Sequence, residues 1–333
     1  MTPDQLQTTF QAYQREYTFG AFGGKKNGSP CSAIPTSESV IDQAWQAQMR
    51  GDWEGMLALV ASLNLSVYPE AALVLARAAT RHGAYRLALR LLGWGIHRFR
   101  ETGHDVHLAR CHGALGEVLV RCNFAALALQ HMQIAHSLMP RGHHSRQMQY
   151  SYIAMPLARL GQLDVAIEYY MRALFLAEIQ QDKTALAHAL IRRGALAFWG
   201  DDSAFREMQH LKARYQPDLT GVLKGYDALL ELCAGWKEGV LTPEDITLCR
   251  NRAMGAFHRI APIEYETAAR VLPDNGAGSK DLAGEFESLC SGIRLPFYPD
   301  VFQLADLPVQ KSLATGRIAC ADALALALKG FFI

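Results

Sequence analysis

Three arginines, Arg81, Arg121 and Arg159, stand 40 and 38 residues apart in sequence that otherwise favours helix. A planar guanidinium grips a carboxylate or phosphate through two parallel hydrogen bonds and stays charged at physiological pH. A line of such groups is chemistry for holding an anion rather than for moving a proton. Arg77, Arg110 and Glu117 accompany the line, and Trp199 takes the corresponding place beyond it. These seven residues form the candidate partner-binding set, with a positive centre.

Other chemistries find less support. Seven of the twelve histidines fall between His104 and His144, but without the tight ligand spacing that zinc requires, so they read as polar surface and loop residues. The stretch GAFGGKKNGS approaches a phosphate loop, yet Phe19 stands where the first glycine belongs and Lys26 replaces the magnesium-binding hydroxyl. No G-x-S-x-G elbow is present, and Cys111 and His112 are helix neighbours whose side chains diverge. Glu244-Asp245 and Glu264/Glu266 read as cap and surface residues. No catalytic residue, metal ligand or cofactor is nominated. An enzyme would need a pocket between the helical array and the C-terminal region.

The elements that position the arginines are marked by a ladder of small residues, Ala44, Ala76, Gly116, Ala154 and Gly194. Twelve residues after the first four rungs stand Met56, Ala88, Ala128 and Ala166, and seven later Leu63, Gly95, Ala135 and Ala173. A Gly or Ala lets crossing helices approach closely, and a recurrence of 32 to 40 residues is what stacked helical hairpins require. One hairpin cannot bury its apolar face alone.

The stretch QMQYSYIAMPLARL followed by GQLDVAIEYYMRALFLAEIQQD, with Gly161, Ala166, Tyr170 and Ala173, resembles a tetratricopeptide repeat. LARCHGALGEVLVRCNFAALALQHMQIAHSL does so through Leu115-Gly116, Ala128 and Ala135, and AALVLARAATRHGAYRLALRLLGWGI through Gly83, Tyr85 and Ala88. The first unit keeps Gly51 and Trp53 but departs at Met56 and Leu63. The fifth decays, with Arg206 where a small residue should pack. Two units are lengthened towards 40 residues, as in longer variants of the family. The resemblance implies an all-α fold, a right-handed superhelical solenoid over roughly residues 38–215. It also implies that the first helix of each hairpin lines a concave groove, with side chains five residues after each rung pointing into it: Met49, Arg81, Arg121, Arg159 and Trp199. The Lys/Asn set by which some members grip a terminal carboxylate is missing at equivalent places.

Residues 1–37 are expected to form a short helix and a Gly/Ser/Pro-rich loop. An irregular helical extension is expected over residues 216–333, with helices near 219–235, 243–259 and 281–291, an extended RLPFYPDVFQLADLPVQ segment and a C-terminal capping helix. Half the chain is hydrophobic and a fifth charged, enough for a large core. Seven cysteines, odd in number and without C-x-x-C spacing, argue for a reducing, cytoplasmic setting. The N-terminus lacks the pattern of a signal peptide, and no apolar run is long enough for a membrane span.

Net charge is only +1, but residues 76–121 carry eight Lys/Arg against three Asp/Glu, and residues 262–306 three against eight. The acidic C-terminal part is thus expected to dock near the basic groove and compete with a partner. The function expected is that of a non-catalytic adaptor, chaperone or regulator holding an acidic protein or peptide segment. A nucleic-acid-binding regulator is the rival reading for a basic groove.

Overall fold

The structure is a computed structural model, and it describes residues 35–271 and 282–293 apart from 142, 144 and 218. The expected N-terminal helix and loop up to residue 34, the extended segment and the capping helix lie outside the described residues. Every regular element among the described residues is helical. In chain order they are α1 (Pro35–Arg50), α2 (Trp53–Ala61), α3 (Pro69–Arg81), α4 (Tyr85–Thr102), α5 (Asp105–Arg121), α6 (Ala125–Leu138) and α7 (Arg146–Arg159). There follow α8 (Leu163–Ile179), α9 (Lys183–Ala195), α10 (Ala204–Tyr215), α11 (Val222–Glu238), α12 (Pro243–Phe257), α13 (Pro262–Val271) and α14 (Leu282–Leu289).

Each helix from α1 to α13 packs mainly on its chain neighbours. The odd-numbered helices form a second set of contacts, α1 with α3, α3 with α5, α5 with α7, α7 with α9 and α9 with α11. A row of first helices therefore runs through the array. Between Ala71 and Thr80 of α3 only Arg77 is not fully buried, so this helix is apolar around nearly its whole circumference. Such a helix belongs between layers rather than on a surface.

The ladder residues sit where that burial is tightest. Ala44, Ala76 and Ala154 are no more than 1% exposed. A Cβ built on Gly116 would lie 2.6 Å from Met132 Cγ and 3.2 Å from the Ala128 carbonyl oxygen, so α5 and α6 meet at a distance that only glycine permits without rearrangement. Seven residues after the first four rungs, the chain turns through a left-handed residue: Gly51 (φ +72°), Gly83 (φ +75°), Asn123 (φ +66°) and Gly161 (φ +78°). These positive-φ residues end the first helix of a pair and turn the chain into the second. In the fifth unit Arg206 is exposed, while Met208 fills the space against Gly194.

Past the array, α11, α12 and α14 fall close to the expected helices, and Thr242 with Asp245 forms a reciprocal capping box at the start of α12. Helix α13 was not anticipated. It begins at Pro262, a residue suited to the first helical turn, with Glu264 in that turn. Residues 35–37, expected in the loop, belong instead to α1, which starts at Pro35.

Gly116→Val tests the crossing. The added methyls collide with Met132, and overpacking of this kind costs about 1–3 kcal/mol. Urea unfolding of Gly116→Val should show that loss, and adding Met132→Ala should cost less than it does alone. Strict additivity of the two changes would mean that the helices do not meet there.

Candidate functional site

From α3 to α9 the odd-numbered helices are buried over their central turns except along one stripe. Between Leu108 and Val120 of α5 the incompletely buried residues are Arg110 and Glu117, and between Gln147 and Ala158 of α7 they are Met148 and Tyr152. From Ala185 to Ala195 of α9 they are His188 and Arg192, while α3 adds Arg77 and Arg81. Separations of four and seven residues put each set on one helix face. Neighbouring faces join into a polar strip rich in guanidinium groups.

One end of the strip is filled by the chain itself. Glu264 of α13 is buried, and its Oε1 accepts hydrogen bonds from Arg81 Nη1 at 3.3 Å, Arg121 Nη2 at 3.1 Å and the Tyr226 hydroxyl at 2.9 Å. Its side chain is 0% exposed, against 3% for Arg121 and 30% for Arg81, which stands at the lip. The expectation that Glu264 is a surface residue is therefore corrected. Burial pushes its carboxyl up, but Arg121, Arg81 and the Tyr226 hydroxyl outweigh this and hold it below the usual carboxylate range. Arg121 is held well above its ordinary value, chiefly by Glu264 against the opposing effect of burial. Glu117 lies 3.7 Å from Arg121. Burial works against its charge, but Arg121, Arg77, Arg81 and Arg192 keep it ionised.

Other contacts secure the C-terminal helices beside this pair. Trp53 Nε1 donates to the Arg259 carbonyl at 2.7 Å, and His82 stacks on Phe286 with ring centroids 4.3 Å apart. A Cβ on Gly83 would fall 2.7 Å from Ile263 Cδ1.

The remaining candidates divide. Arg159 Nη1 donates to the Val120 carbonyl at 3.0 Å, so this member of the arginine line helps to cap the end of α5. Burial and the nearby Arg121 lower its pKa to about 10. Arg77 and Arg110 are mutual neighbours on the strip: burial and Arg77 lower the pKa of Arg110. Trp199 is partly buried at the end of a 3-10 turn over Leu196–Trp199 and packs beside Phe198. Met49, expected in the same column, is 67% exposed.

Sequence reasoning missed Tyr152 and Arg192, both two residues before a rung. The offset was visible, but at the preceding rungs it falls on buried Val74 and Ala114, so no column stood out. His188 shares the incompletely buried stripe of α9 with Arg192, four residues on. Burial, then Arg192 and Arg81, push its pKa down to about 3, leaving a neutral imidazole.

His112 corrects the reading of the histidines as surface residues. It is 3% exposed, its Nδ1 lies 2.9 Å from His131 Nδ1, and burial pushes it down to about 4. Among the described residues no three His, Cys, Asp or Glu side chains converge as a metal site would need. Cys111, Cys122 and Cys233 are buried thiols pushed up to about 12 by burial. No helix among the described residues is long and apolar enough to cross a membrane.

Compared with known proteins, the chain matches no family model, no curated protein and no solved structure.

Removing Glu264 leaves Arg121 buried without its main countercharge, a loss of about 3–5 kcal/mol for a broken buried pair. Chemical denaturation of Glu264→Ala should show it, with a smaller loss for Arg81→Ala at the lip. Equal and slight losses in both would contradict the buried seat. The acid limb gives a second test. Because Glu264 has a folded pKa below its unfolded value, its contribution is complete above about pH 4.3 and disappears as pH falls below that range. Glu264→Gln should accordingly flatten the decline in melting temperature with acid and leave the neutral-to-alkaline profile unchanged in shape.

Proposed function

We propose that this chain is a tetratricopeptide-type helical repeat protein, a right-handed superhelical solenoid over residues 38–215 followed by the further helices α11 to α14. On this reading it is a cytoplasmic adaptor, chaperone or regulator that holds an acidic segment of a protein partner on its basic inner face. One observation carries the proposal: a carboxylate, that of Glu264, sits on Arg81 and Arg121. The row of odd-numbered helices and the left-handed turns support the repeat architecture. Glu264 acts as an internal occupant, and a partner carboxylate competes with it for the same guanidinium groups.

Holding suits this geometry better than proton transfer. A general acid or base works best with a pKa near the operating pH, whereas Glu264 is shifted away from neutrality and engaged by three donors.

A fluorescein-labelled peptide rich in Asp and Glu, titrated into the full chain and followed by anisotropy, tests the reading. Arg81 is the position to reverse, because reversing buried Arg121 would attack the fold itself. Arg81→Glu should weaken binding at least about tenfold, equivalent to about 1.4 kcal/mol. Glu264→Gln, in a folded chain, should tighten it by removing the competitor. An affinity unchanged by Arg81→Glu would sink the proposal. Tighter, salt-dependent binding of an unrelated oligonucleotide would move the reading to nucleic acid.

A further inference from the structure

The polar strip contains a second place with the composition of the Glu264 seat but without a carboxylate in it. At the first seat two guanidinium groups and a tyrosine hydroxyl converge on one oxygen of a carboxylate. At the second, Arg192 lies over the Tyr152 ring, 4.7 Å from its centroid, and Tyr152 also neighbours Arg77. Among the described residues, neither Arg77 nor Arg192 has a carboxylate within ion-pair distance, and Arg192 Nη1 is buried with no hydrogen-bond partner. Glu117 acts on both guanidinium groups, but Arg121 already engages it. His188, close enough to feel Arg192, Arg81 and Arg77, adds no charge because it is neutral.

Cationic groups gathered in a partly buried place repel one another and lose hydration, so the arrangement favours an anion that answers both costs. We infer that Arg77, Tyr152 and Arg192, with His188 beside them, form a site for one carboxylate of a bound acidic segment, distinct from the seat occupied by Glu264. Carboxylate is favoured because the chain uses the same pair of groups, guanidinium and phenol, to hold its own. The inference rests on the proposed acidic partner for the source of the carboxylate, but the site itself can be tested without any partner.

The probe is citrate, with inorganic phosphate and sodium chloride at matched ionic strength as comparisons, and the readout is the melting temperature of the full chain. A ligand that binds only the folded state raises that temperature according to its concentration over its dissociation constant. Citrate should stabilise the unaltered protein beyond chloride, and Arg77→Ala/Arg192→Ala should abolish the difference. Arg77→Lys/Arg192→Lys keeps the charge but loses the fork; it should lose most of the citrate response and serves if the alanine pair does not fold. A citrate shift undiminished in these variants, or no shift beyond chloride in the unaltered protein, would overturn the site. Phosphate stabilising more than citrate would overturn the carboxylate assignment. The acidic-peptide titration reports separately on the partner: if no peptide binds but the citrate response depends on Arg77 and Arg192, the partner reading fails and the site stands.

Discussion

The carboxylate of Glu264 is the constraint on which the arrangement of the C-terminal helices depends. Glu264 and Arg121 are both withdrawn from water, and neither charge is tolerable there without the other. The carboxylate must therefore lie where α3, α5 and α11 can all reach it, since Arg81, Arg121 and Tyr226 come from those three helices. One carboxylate oxygen accepting from three helices at once allows little sliding of α13 over the row beneath it. The apolar contacts around it then fit one placement, including Ile263 over Gly83 and Phe286 against His82.

The turns of the array share in this placement. Gly51 and Gly83 adopt positive φ to reverse the chain, a conformation that already favours glycine. Both also lie directly under the C-terminal segment: a Cβ on Gly51 would come 2.6 Å from the Arg259 carbonyl oxygen. The missing side chain thus serves the turn below and the contact above. Trp53, two residues past Gly51, closes the same junction by donating to the Arg259 carbonyl.

How much of this was legible follows from the range of each interaction. The ladder and the turns depend on residues within one hairpin, and small residues at a fixed recurrence expose them; Ala44, Ala76, Gly116 and Ala154 fall in tight packing as their spacing implies. Arg81 and Arg121 were legible as a pair because helical register is periodic. Glu264 was not, because its partners are 143 and 183 residues away and nothing local separates it from a solvated glutamate. The charge asymmetry between the two segments pointed towards such a contact without naming the residue. Tyr152 and Arg192 escaped because a column can be read only where successive units repeat a residue type, and Val74 and Ala114 do not.

Over their central turns α3, α5, α7 and α9 are covered by neighbours on nearly every side, and each leaves one stripe of incompletely buried residues. Concentrating arginine there gathers positive charge that the helices themselves do not balance: Glu117 answers several guanidinium groups at once. Part of the balance comes from Glu264, supplied by a helix outside the row, which links the charge of the strip to the docking of α13. Glu117 feels Arg121 and Arg81 as well as Arg77 and Arg192, so the two parts of the strip share one countercharge.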